Sequence, residues 1–255
     1  MAHVQWTREQ LLVAFNLYWR TPFGKMHSRN PEIVELATII GRTPSALAMK
    51  LCNIASLDPA EKARKISGLS GASYHDRHIW DEFHSNWEQL ALESEEVVAR
   101  LAHPEPIPEI EPSVMPTGPT EDVRKTRVRL VQQFFRAAVL SSYETRCAVC
   151  QISESQLLVA SHIIPWAEDA KRRADPTNGL ALCALHDKAF DRALISFDES
   201  MKLMVSSRLK ERRVVAVHRA AFIDLEGQPL YRPIRCDPDP DAIAKHRGRF
   251  LLQMS

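Results

Sequence analysis

Six of the sixteen prolines fall between His103 and Thr120, in the run HPEPIPEIEPSVMPTGPT. Proline fixes φ and lacks an amide hydrogen, so this stretch cannot be helical and reads as an extended, semi-rigid linker over residues 103–120. It divides the 255 residues into a part at 1–102 and a part at 121–255, each long enough for a domain. The net charge of +1 says nothing about partners, but basic residues cluster at Lys202–Arg219 and Lys245–Arg249, where they could neutralise phosphates. No apolar run is long enough to span a bilayer. The Met1–Trp6 start lacks the charged-then-apolar pattern of a secretory signal, so a cytoplasmic protein with no membrane contact is expected.

The first part reads as all-helical. Thr7-Arg8-Glu9-Gln10 is a capping box that opens a helix carrying Leu11, Phe15 and Tyr18 on one face. Asn30-Pro31 and Thr43-Pro44 are each an N-cap followed by proline at the first helical position. Gly41 stops the helix between them, so the two short helices have the outline of a helix-turn-helix. On that outline Ser45, Met49, Lys50 and Asn53 turn outward to DNA and Arg42 lies beside a phosphate. The segment IVELATIIGRTPSALAMKL resembles helix-turn-helix and Myb/SANT-like domains, a resemblance that implies DNA binding. Trp80, Phe83, Trp87 and Leu90 form an apolar stripe for core or interdomain packing.

The second part opens with an amphipathic helix over Glu121–Ser142 and then turns to short strands. Three of the five cysteines, Cys147, Cys150 and Cys183, fall in one segment that also carries histidines, a pattern that points to metal. An odd count without a secretory signal argues against a disulfide framework. Cys147-Ala148-Val149-Cys150 and Cys183-Ala184-Leu185-His186 are two ligand pairs, each with two intervening residues. Two such pairs can hold one tetrahedral zinc through Cys147, Cys150, Cys183 and His186.

Between the pairs lie Ser161-His162-Ile163-Ile164-Pro165-Trp166 and Asn178-Gly179-Leu180, and after them Phe190-Asp191-Arg192. The pattern CAVC…SHIIPW…NGLALCALHDKAFDRALISFD resembles the HNH endonucleases, which have the ββα-metal fold. The resemblance implies an α+β chain: a helical N-terminal domain plus a C-terminal ββα-metal nuclease domain. It makes His162, at the end of the first strand, the general base, because a neutral imidazole accepts a proton from water near neutral pH. It makes Asn178 a brace for the loop of the motif. It also implies catalytic Mg2+ or Mn2+, which favours hard oxygen ligands, beside structural zinc.

The third motif position has two alignments. In one, His186 is a zinc ligand and Asp187 holds the catalytic metal. In the other, His186 is itself the catalytic ligand and the cysteine cluster is incomplete. Ser161 stands where many members carry a metal-binding side chain, so water, phosphate, or Asp191 or Asp198 would complete the shell. Arg192 could hold a phosphate.

The chain thus reads as a DNA endonuclease of a bacterial restriction or defence system. A homing or mobile-element nuclease, or an inactive zinc-stabilised DNA-binding regulator, are the alternatives. One ββα centre cuts one strand, so a double-strand break suggests a homodimer.

Overall fold

A computed structural model of the protein describes residues 5–66, 68–69, 71–102, 121–211 and 214–253, with side chains omitted at 121–125. The expected linker at 103–120 lies outside the described residues. The chain forms two compact units, Met1–Phe134 and Phe135–Ser255.

The first unit is helical: α1 (Arg8–Arg20), α2 (Pro31–Ile39), α3 (Pro44–Ala55), α4 (Pro59–Ala63), α5 (Tyr74–Ser85) and α6 (Trp87–Ala102). Helix α7 (Glu121–Ser142) runs from this unit into the second. The caps read from the sequence form as expected. Thr7 and Gln10 make a reciprocal capping box, Asn30 accepts from Glu32 N, and Thr43 accepts from Ala46 N. Gly41 takes φ of +66°, which an L side chain rarely adopts, and its amide bonds back to Thr38 O at 3.1 Å. That left-handed residue ends α2 and lets α3 start three residues later.

Helix α1 is buried along nine consecutive residues and packs on α3, α5 and α6. Its aromatic side joins the expected stripe: Phe15 stacks on Phe83 at 5.6 Å, and Trp19 meets Trp80 and Trp87 at 5.7 and 5.0 Å. Its one buried amide, Asn16, is satisfied by Ser94 Oγ at 3.0 Å and Glu95 Oε1 at 2.9 Å.

The second unit is built on a hairpin and a helix. Strand β1 (Leu158–His162) pairs antiparallel with β2 (Gly179–Cys183), in a register that sets His162 opposite Gly179 and Leu158 opposite Cys183. Helix α8 (Ala184–Asp191) follows β2 without a break. This ββα unit carries the expected motif, and the chain is α+β as read from the sequence.

A second hairpin, β3 (Ile195–Phe197) with β4 (Leu203–Val205), follows, then α9 (Ser207–Lys210), α10 (Ala216–Ala221) and α11 (Pro240–Leu252). Phe135 and Val139 of α7, with Tyr143 just after it, pack into the core formed by β1, β2, Phe190, Phe197 and Ile243. The approach of α7 is close: a Cβ at Gly179 would sit 2.4 Å from Val139 Cγ2 and 2.9 Å from Phe135 Cζ. Gly179 itself is extended, with φ of −127°. The Asn178-Gly179 pair therefore looks like a turn signal, but its glycine is there for helix-on-strand contact. No helix among the described residues is long and apolar enough to cross a membrane.

Candidate nuclease and metal site

The first ligand pair sits on a tight turn after α7. Cys147 N bonds Ile152 O at 2.9 Å, and Gln151 adopts φ of +61° to reverse the chain. Ala148 N then bonds Ala181 O at 2.7 Å, fastening this turn to β2 just before Cys183. The second pair spans the β2–α8 junction, where Cys183 is the N-cap and His186 lies one turn in. The result brings one ligand atom from each of Cys147, Cys150, Cys183 and His186 within 4.8 Å of one another.

His186 Nδ1 lies 3.6 Å from Cys147 Sγ and 3.1 Å from Cys183 Sγ, and the Cys150 and Cys183 sulfurs are 3.9 Å apart. A tetrahedral zinc with the usual bond lengths has S–S edges of about 3.8 Å and S–N edges of about 3.5 Å. The three edges measured are close to those of that ion, and all four donors are near enough to meet around it.

The far side of the imidazole supports the same reading. His186 Nε2 donates to Ala221 O at 2.8 Å, which leaves the Nδ1 lone pair directed at the sulfurs. Cys147 is the main influence on both other sulfurs, holding Cys183 well below and Cys150 well above the ordinary thiol range. Burial pulls the His186 imidazole down, but the Cys147 and Cys183 sulfurs carry it up to about 10. A donor set this strongly drawn to positive charge suits a divalent cation.

A separate cleft of about 330 Å3 is lined by Ser161, His162, Trp166, Asp187, Asp191 and Arg249 among others. His162, the last residue of β1, stacks on Phe135 with ring centroids 3.8 Å apart and meets Trp166 edge-on at 5.7 Å. Its Nε2 donates to Arg173 O at 3.0 Å, so Nδ1 is the basic nitrogen of the neutral ring. Burial lowers its pKa below the ordinary imidazole value, with the Arg173 carbonyl and Asp191 opposing.

Asn178 is buried and fully used. Its Oδ1 accepts from Ile164 N at 2.8 Å, and its Nδ2 donates to Ile164 O and Arg172 O at 3.1 and 3.2 Å. Its own carbonyl accepts from Ile163 N at 2.9 Å. The side chain thus ties the two ends of the β1–β2 loop together immediately beyond His162.

Asp187 lies in the cleft, next in sequence to His186, which faces the cysteines. Adjacent helical residues point about 100° apart, so one helix presents His186 to the cysteines and Asp187 to the cleft. Burial raises the Asp187 carboxyl above its usual range, and the nearby Asp191 charge adds to this. The buried Ser161 hydroxyl is near enough to favour the Asp187 carboxylate but completes no hydrogen bond of its own. Two carboxylates one helical turn apart, with an unsatisfied buried hydroxyl beside them, are hard oxygen donors suited to a hydrated divalent ion.

Asp198, the other carboxylate considered from the sequence, is elsewhere: it caps a turn by accepting from Ser200 N and Lys202 N at 2.8 and 2.9 Å. Arg192 is exposed at the end of α8.

In the first unit, Ser45 is exposed and Asn53 half-buried, but two expectations need correction. Lys50 does not turn outward. It is 7% exposed and is held by both Asp76 oxygens at 2.8 and 3.0 Å, because an unpaired ammonium could not be buried there. Arg42 does not stand free for a phosphate either. It donates to Gln10 Oε1 and Gln5 O and lies 4.8 Å above the Trp6 ring. Both cations, with Asn53, line a cleft of about 430 Å3 that also includes Trp6, Met49 and His75.

Two side chains of the nuclease cleft went unassigned from sequence. His246 and Arg249 of α11 lie three residues apart on one helical face, within a stretch legible only as basic. His246 is buried and bonds Phe190 O at 2.9 Å and Ser196 Oγ at 3.0 Å.

Residues 147–198 match the family model described as HNH endonuclease, and this segment is an HNH endonuclease domain. It runs from the first zinc-type cysteine to the turn-capping aspartate and excludes α11. The chain has no match among curated proteins.

Proposed function

We propose that the HNH domain at 147–198 cleaves DNA by hydrolysing phosphodiester bonds, with His162 as general base and Asp187 at the catalytic metal. The observation that carries this is the partition of His186 and Asp187. His186 is committed to the cysteines through Nδ1 and to Ala221 O through Nε2, so the carboxylate next to it shares the cleft with His162.

Nδ1 of His162 takes the proton of the attacking water, while the Arg173 carbonyl fixes the tautomer and Phe135 fixes the ring plane. Its depressed pKa keeps it unprotonated at neutral pH. Asn178 holds the loop that carries the Arg173 carbonyl through its bond to Arg172 O. Asp187 and Asp191 would hold Mg2+ or Mn2+. When bound, that ion supplies charge neutralisation at the phosphate and the leaving 3′ oxygen. Cys147, Cys150, Cys183 and His186 would hold zinc as a structural ion that fastens α8 to the turn after α7.

The first unit supplies DNA affinity through the α3 face at exposed Ser45 and half-buried Asn53, and Arg42 and Lys50 shape the cleft beside it. The biological setting is cytoplasmic restriction or defence, with two copies cooperating for a double-strand break. Pure full-length protein incubated with supercoiled plasmid and Mg2+ or Mn2+ tests the activity. Metal-dependent nicking supports it. Intact plasmid, whether unmodified or base-modified, together with retained binding would favour the regulator instead.

A further inference from the structure

We propose that Arg249 of α11, outside the matched domain, is a catalytic residue that grips the non-bridging oxygens of the scissile phosphate. The proposal rests on the nuclease reading above. Arg249 is the one lysine or arginine among the described residues lining the cleft that holds His162, Asp187 and Asp191. The opposing charges there are two carboxylates, and His162 is held neutral. A guanidinium is always charged, and its planar fork matches two phosphate oxygens at once.

Its position is set on two sides. Arg249 Nη2 donates to Ile163 O at 3.0 Å, the carbonyl next in sequence to the general base. One turn earlier on the same face, His246 stacks on Phe190 with ring centroids 3.6 Å apart and bonds the Phe190 carbonyl at 2.9 Å. Phe190 belongs to α8, the helix of Asp187 and Asp191, so α11 is keyed in register to the helix that carries the carboxylates. The Arg249 side chain is 43% exposed, with Glu168 as a partner at 3.6 Å, so it is both anchored and reachable by a substrate. A phosphate entering the cleft would replace that loose glutamate contact.

The test uses full-length protein, supercoiled plasmid and Mg2+, with Arg249→Gln and Arg249→Lys. The glutamine keeps a donor amide on a shorter side chain but carries no charge. Arg249→Gln is expected to keep its melting temperature and zinc content and to nick about 10²–10³-fold more slowly, the usual loss for one transition-state donor. Arg249→Lys should recover part of that loss. The acid limb of the pH–rate profile should stay at its wild-type position in both.

Arg249→Gln nicking within a few-fold of an active wild type would overturn the proposal and leave the nuclease reading standing. A shifted acid limb would also overturn it, because the loss would then run through Ile163 and the His162 loop. A wild type that binds plasmid but never nicks would overturn the nuclease reading, and this proposal with it.

Discussion

Replacing His186 and Asp187 separately should split one helix turn into two functions. His186 is 1% exposed and is held by two sulfurs and the Ala221 carbonyl. A structural zinc contributes on the order of 10–16 kcal/mol to small folded motifs at neutral pH, and a whole domain is stable by only about 5–15 kcal/mol. Losing even part of that metal affinity in His186→Ala is comparable with the total stability. The variant should purify with well under one zinc per chain, and the second unit should melt at least about 10 °C lower.

Asp187 is different in kind. Its carboxyl already sits above its ordinary pKa because burial and Asp191 disfavour the charge, so removing it relieves a cost. Asp187→Ala should keep its zinc, change stability by less than about 1 kcal/mol, and lose nicking by about 100-fold or more in Mg2+. Elemental analysis, thermal melting and plasmid nicking on the same preparations decide the matter. The reasoning fails if the phenotypes swap, with His186→Ala folded, zinc-loaded and inactive while Asp187→Ala still cuts.

Three further outcomes are expected. His162→Ala should nick at least about 100-fold more slowly while still binding plasmid, and near wild-type cutting would exclude it as the base. Gly179→Ala should cost about 1–3 kcal/mol, because its Cβ would overlap Val139 and Phe135, and should also slow nicking by shifting the ring that stacks on His162; an unchanged melting temperature would contradict this. His246 is lowered to about 4 by burial, with the Phe190 carbonyl opposing and Arg249 adding to the shift. The unfolded chain therefore takes up this proton first, and stability present above about pH 6.5 is lost as pH falls toward 4, by about 2 kcal/mol at pH 5. Denaturant melts of wild type and His246→Gln at both pH values should show the difference shrinking in the variant, and parallel losses would remove His246 as the cause.

The sequence by itself determined the parts that depend on near neighbours. Helix starts at Thr7, Asn30 and Thr43 follow from one side chain reaching an amide two or three residues on, and all three form. The two ligand pairs and the His162–Asn178 motif were legible because spacing and residue type restrict which chemistry they can serve. Asp187 and His186 could not be separated in that way, since both alignments satisfy the spacing. The Ala221 carbonyl, 35 residues from His186, fixes which imidazole nitrogen meets the sulfurs, and that contact supports the proposed assignment.

Lys50 was misread for a related reason. A helical wheel shows which face a residue occupies, but only the packing of α5 against α3 brought Asp76 to neutralise it and allowed its burial. The role of Gly179 depends on α7 lying on β2, and Arg249, one charge in a basic run by sequence, gains its place from α11 packing beside α8. In each case the deciding partner is distant in the chain, and only the folded packing brings the two groups within hydrogen-bond or contact range.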